Sequence, residues 1–115
     1  MTDPAPVDPA ALARLDQLGG PGFARRIIGI FLAEGPRRVA DARAALARRD
    51  APALAHAVHA LISSSGNVGA MDLAELVREM ERDAGRADWA ALEQKMPTLE
   101  ASLARVAAHL DGAGA

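Results

Sequence analysis

The 115-residue sequence contains no cysteine, which excludes disulfides, thiolate metal sites and cysteine nucleophiles together. It also lacks tyrosine, and Phe23, Phe31 and Trp89 are its whole aromatic complement. That is too little to fill a β-sandwich core or to stack nucleic-acid bases. Lysine is nearly absent too, with Lys95 the only one among 13 basic residues. A net charge of −2 supplies no field that would gather a polyanion. No apolar run approaches the roughly 18 residues of a membrane span, and Met1-Thr2-Asp3-Pro4 carries no basic n-region of a signal peptide. Neither nucleic acid nor membrane is therefore expected as a partner, and the chain reads as a cytoplasmic protein. Arginine in place of lysine, with abundant alanine, fits a GC-rich bacterial genome.

Half of the residues are apolar, enough for one modest core at this length, and the alanine content favours closely packed helices. The spacing predicts six of them in a single domain over 8–111, between a disordered lead (1–7) and a flexible tail (112–115). Asp8-Pro9 supplies an N-cap and a first-turn proline for a short helix carrying Leu12, Leu15 and Leu18, which Gly19-Gly20 ends. A second starts at Pro21 with Phe23, Ile27, Ile30 and Phe31 at helical spacing and closes at Gly35-Pro36. A third runs from Pro36 to Arg49, burying Val39, Ala42 and Leu46. Asp50 caps a fourth, which carries Leu54, Val58 and Leu61 into Ser63-Ser64-Ser65-Gly66. A fifth, about 70–84, stacks Leu73, Leu76, Val77 and Met80 on one face. In the sixth, Trp89, Leu92, Met96, Leu99, Leu103, Val106 and Leu110 hold one seam in phase across Pro97, so a single bent helix is read there. The fold class is all-α: an antiparallel up-and-down four-helix bundle with two short N-terminal capping helices.

On a wheel of roughly 100° per residue, Leu54, Ala57, Val58 and Leu61 of the fourth helix cluster together, and His59 falls on the opposite, outward face with Ala55, His56, Ile62 and Ser63. By periodicity alone His59 is an ordinary exposed polar residue. The local sequence says more. His59-Ala60-Leu61-Ile62-Ser63-Ser64-Ser65-Gly66-Asn67-Val68-Gly69-Ala70 closely resembles the His-x-Leu-Lys-Gly-x-Ser-x-x-x-Gly-Ala motif of histidine-containing phosphotransfer (HPt) domains. His59 matches the phosphorylated histidine, Leu61 the buried leucine, Ser65 the serine and Gly69-Ala70 the turn into the next helix. Leu73, Val77, Met80 and Glu81 resemble the family's following helix. Leu18-Gly19-Gly20-Pro21-Gly22-Phe23 with Phe31-Leu32 resembles its leading segment, so the likeness extends over about residues 8–110.

The resemblance implies a phosphorelay intermediate, a phosphoryl carrier rather than a turnover enzyme. His59 would accept a phosphoryl group from the aspartate of a response-regulator receiver domain, or of a hybrid histidine kinase, and pass it to another receiver. No cofactor of its own is implied, because in this family the receiver brings the Mg²⁺ and most catalytic groups. The histidine supplies a neutral ring nitrogen, and Glu81 is the candidate acceptor for the ring's other N–H. Two positions depart from the motif. Ile62 stands where the family has a lysine that places its charge near the phosphoryl oxygens, and Ser63 stands where a glycine leaves room for the incoming receiver. They set up the alternative of a non-catalytic module that sequesters a receiver without being phosphorylated.

Ile28, Leu32, His56 and Ile62 are the candidate docking residues, with Ile28 and Leu32 equally open to a core role. No metal site is read: His56 and His59 share a helix without a carboxylate beside them, and two imidazoles make an incomplete ligand set. The sixth-helix seam is the only support for a dimer, and a monomer is expected.

Overall fold

The computed structural model describes residues 6–114, which form five helices: α1 (Pro9–Gly19), α2 (Phe23–Arg48), α3 (Ala51–Asn67), α4 (Met71–Gly85) and α5 (Trp89–Gly114). The described residues are all-α, as composition and periodicity predict, with no strand among them. None of these helices is long and apolar enough to cross a membrane.

Helix starts follow local chemistry. Asp8 Oδ1 accepts from the Ala10 amide at 3.0 Å, Asp50 Oδ1 from Ala53 at 3.1 Å and Asp88 Oδ1 from Ala91 at 3.2 Å. Each satisfies a donor that the first turn leaves free. Asp16 does the same between helices, its Oδ1 accepting from the Ala24 amide at 2.8 Å and so tying α1 to the start of α2.

Where two helices are expected over 21–49, there is one. Pro36 lies inside α2, although it removes one backbone donor and crowds the preceding turn. Burial explains the continuity. Ala24, Ile28, Phe31, Gly35, Val39, Ala42 and Leu46 are all buried on α2 at steps of three or four, a single stripe that continues across the proline. Gly35 is a contact residue here, not a helix stop. A Cβ on it would lie 3.1 Å from Leu103 Cδ1 of α5, so its missing side chain lets the two longest helices approach closely. The same stripe corrects the expected core face: Ile30 is exposed, while Ile28 is buried.

α2, α3, α4 and α5 each pack on two of the others, in the closed order α2–α3–α4–α5–α2, and α1 lies on α2 and α3. Only one helix therefore stands outside the ring, not two, because the second expected capping helix is the first half of α2. Charged pairs fix chain directions. Arg43 Nε donates to Glu100 at 2.7 Å, while Arg49, six residues further on at the C-cap of α2, pairs with Glu93, seven residues back along α5. The two helices are thus antiparallel. The Arg43 guanidinium lowers the Glu100 carboxyl below its ordinary range by hydrogen bonding, and Glu100 raises Arg43 in return. Arg49 also covers the Trp89 ring, 5.4 Å from its centroid, in cation–π geometry. Between α4 and α5, Lys95 Nζ donates to the buried Asp83 carboxylate at 2.6 Å, a pairing that keeps an interior charge from standing alone.

The termini differ from expectation at both ends. Val7, assigned to a disordered lead, is 1% exposed and belongs to the core; Asp8 N donates to Gly69 O at 2.9 Å beside it. α5 continues through Gly112 to Gly114, where a flexible tail is expected. Residues 1–5 and 115 of these two segments lie outside the described residues.

Candidate functional site

α3 buries Leu54, Ala57, Val58, Leu61 and Ser65, and that face sets the opposite one. His59 projects from mid-helix with its side chain 71% exposed, two residues before Leu61 and one after Val58, both in the core. The helix runs through the whole serine stretch to Asn67. Ser64 turns its hydroxyl back to the Ala60 and Leu61 carbonyls, at 3.3 Å each, a local bond that lets serine stay helical.

The turn after α3 brings the second group into place. Gly69 adopts φ +80°, in the left-handed region that glycine enters without steric cost. A Cβ there would meet Asp8 O at 2.7 Å and Ala11 Cβ at 2.8 Å. The chain reverses in three residues, so α4 returns antiparallel along α3. On the flank that faces His59, Glu81 Oε2 lies 2.5 Å from His59 Nδ1.

This contact decides the ring's chemistry. A carboxylate has no proton to give, so in the neutral imidazole it is Nδ1 that carries the hydrogen and donates. The lone pair is then on Nε2. That nitrogen is on the far side of the ring from Glu81, in a side chain open to solvent. A fixed tautomer with an exposed nucleophilic nitrogen is what acceptance of a phosphoryl group from a second protein requires.

The other expected site residues divide. Ile62 is half-buried and packed against the core edge, and Ser63 is exposed; both lie one turn beyond His59. Leu32 is half-buried. Ile28 is 5% exposed inside the core, so it has no surface to offer a partner: its stripe through Phe31 and Gly35 faces inward. His56 is exposed but sits on the other flank of α3. There, with Arg38, Asp41, Arg48 and Asp50 among others, it lines a groove of about 530 Å³ against α2. His109 is exposed near the end of α5. Among the described residues no three His, Cys, Asp or Glu side chains converge as a metal site.

Ser65, the motif serine, is fully buried, and among the described residues its Oγ has no hydrogen-bond partner. An unpaired interior hydroxyl costs free energy that a methyl group does not. Ser65→Ala is therefore expected to leave thermal stability equal or raise it by about 1 kcal/mol, measured by denaturant titration. A loss of 2 kcal/mol or more would mean that the hydroxyl has a bonding role.

One charged residue near the site was not singled out from sequence. Arg78 stands three positions before Glu81 on α4, with its side chain 45% exposed. The i, i+3 spacing to Glu81 was the available signal, but it gains meaning only once Glu81 is known to face His59.

Residues 26–109 match the family described as Hpt domain. No curated protein matches the chain. Among solved structures, histidine-containing phosphotransfer protein B (HptB) from Pseudomonas aeruginosa PAO1 is similar at 26% sequence identity, with a TM-score of 0.88 over 98% of this chain and 96% of that one. The family match takes in His59, its partner Glu81, the whole of α3 and α4 and most of α2 and α5, and the chain belongs to the Hpt domain family.

Proposed function

We propose that this protein is a phosphorelay intermediate in which His59 Nε2 takes a phosphoryl group from a receiver-domain aspartate and returns it to another receiver. The observation that carries the reading is the His59–Glu81 contact on an otherwise open face. In the forward step the Nε2 lone pair forms a bond to phosphorus. The P–O bond to the aspartate breaks, and the carboxylate leaves with the electron pair. The imidazole becomes cationic as the new bond forms, and the Glu81 carboxylate on Nδ1–H stabilises that charge where it develops. The Mg²⁺ that neutralises the phosphoryl oxygens belongs, on this reading, to the receiver. The protein docks it as a cytoplasmic monomer, with Leu32 and Ile62 on the receiving surface.

The test is incubation with a receiver carrying labelled aspartyl phosphate. Acid-labile, alkali-stable label on this chain is expected, and stable complex formation without label would instead establish the second reading, a module that sequesters a receiver. Ile62 and Ser63 favour that second reading, because they replace a cation and an open approach.

Two further results are expected. Glu81→Ala frees the ring to rotate and to exchange tautomers, and removes the charge from Nδ1. Transfer should slow roughly tenfold, about 1.4 kcal/mol, while Glu81→Gln, which keeps an acceptor oxygen, should lose less. Equal rates for Glu81→Ala and the parent would remove Glu81 from the chemistry. Ile62→Lys with Ser63→Gly should quicken transfer by a few-fold to tenfold: a partly exposed cation contributes roughly 1 kcal/mol, and glycine clears the approach. Glycine's helix propensity would lower stability slightly. Transfer no faster in the double variant, with weaker receiver binding, would make Ile62 a docking residue instead.

A further inference from the structure

α3 and α4 run antiparallel, and the His59–Glu81 contact fixes their register. Three residues on from His59 along α3 is Ile62, the position without the lysine. Three residues back from Glu81 along α4 is Arg78, which the same register sets beside Ile62. Three residues are about 4.5 Å of helix, a small distance beside the reach of an arginine. On the α4 wheel Arg78 is turned roughly 60° from Glu81, toward solvent, so its guanidinium has access to the space above the His59 ring.

Arg78 is also loosely held. Its Nη1 lies 3.6 Å from Glu75 Oε2, while Arg82 Nη2 approaches the other oxygen of the same carboxylate at 3.7 Å. Both contacts are longer than a hydrogen bond, both side chains are about half exposed, and such pairs are weak. If Arg78 leaves, Glu75 keeps Arg82. Arg82 is turned roughly 100° from Glu81 and lies further from α3.

Resting on the phosphotransfer reading above, we infer that Arg78 supplies from α4 the cation that Ile62 does not supply from α3, leaving Glu75 to bind the phosphoryl oxygens on His59. A guanidinium suits this role because it offers two parallel N–H donors to a phosphoryl group. The apolar Ile62 beneath then serves as a floor for the arginine stem.

Phosphoramidate tests the inference without a receiver. Its P–N bond breaks as the bond to Nε2 forms, and ammonia leaves with the electron pair and takes a proton from water. Labelling of His59, followed by ³¹P NMR, is expected to slow about fivefold in Arg78→Ala and much less in Arg78→Lys, and to be unchanged in Arg82→Ala. Ile62→Lys added to Arg78→Ala should restore the rate, with a larger gain than Ile62→Lys gives in the parent. The ³¹P titration of the phosphohistidine should also move to higher pH in Arg78→Ala, because removing a nearby cation disfavours the dianion; a purely structural role would not shift it. Parent-like labelling and titration in Arg78→Ala overturn the inference and leave His59 transfer standing. So does a defect seen only with a receiver, which would make Arg78 a docking residue. A parent protein that takes no label from either donor overturns both.

Discussion

His59→Gln is expected to abolish phosphoryl acceptance while the melting temperature stays within about 2 °C of the parent. Glutamine has no ring nitrogen to form the P–N bond, so the loss is of the reaction itself and not of one contribution to its rate. Stability is spared because the side chain is 71% exposed, and exposed substitutions usually stay within about 0.5 kcal/mol. Its partner Glu81 is itself more than a third exposed and returns to water. His56→Ala is the matched control. It removes another exposed imidazole three residues away, on the α2 flank, and should leave transfer intact. Label that persisted in His59→Gln and vanished in His56→Ala would shift the site by one turn.

Gly69→Ala should destabilise the fold by about 3 kcal/mol. Holding alanine at φ +80° costs about 1 kcal/mol or somewhat more. The new methyl would also overlap a backbone oxygen and the Ala11 methyl, neither of which is the free end of a flexible side chain, and such overpacking adds about 2 kcal/mol. In a domain of this size the melting temperature should fall by about 15 °C. A fall under 4 °C would show that α1 can shift aside at little cost.

The sequence disclosed the parts of this molecule that are local, and His59 above all. Capping aspartates Asp8 and Asp50, the seam of α5 across Pro97 and the outward placement of His59 each depend on residues within a turn or two. Pro36 misled because a proline is read from its missing donor, whereas α2 continues for the sake of contacts with α5 that no local window contains. Ile28 was ambiguous for the same reason: assigning α2 its face requires the stripe through Gly35 to be seen whole. Val7 reads as a loose end because the bond that holds the chain beside it, from Asp8 N to Gly69 O, spans some sixty residues. Glu81 was accessible as a motif match, yet its bond to Nδ1, and with it the tautomer of His59, depends on the pairing of two helices. Arg78 lies one step further out, visible only after that pairing is known.

The single tryptophan carries a practical consequence. With no tyrosine in the sequence, intrinsic fluorescence reports Trp89 alone, lying under Arg49 where α5 begins against α2. The Gly69 turn and α1 are tied to each other through Asp8 and Ala11, away from that seam. Fluorescence and amide exchange therefore watch different halves of one unfolding event. If Gly69→Ala lowers the fluorescence midpoint and quickens exchange in α1 equally, the helices melt as one unit. If exchange in α1 quickens while the tryptophan signal holds, α1 is a separately detachable brace, and the ring carrying His59 is stable without it.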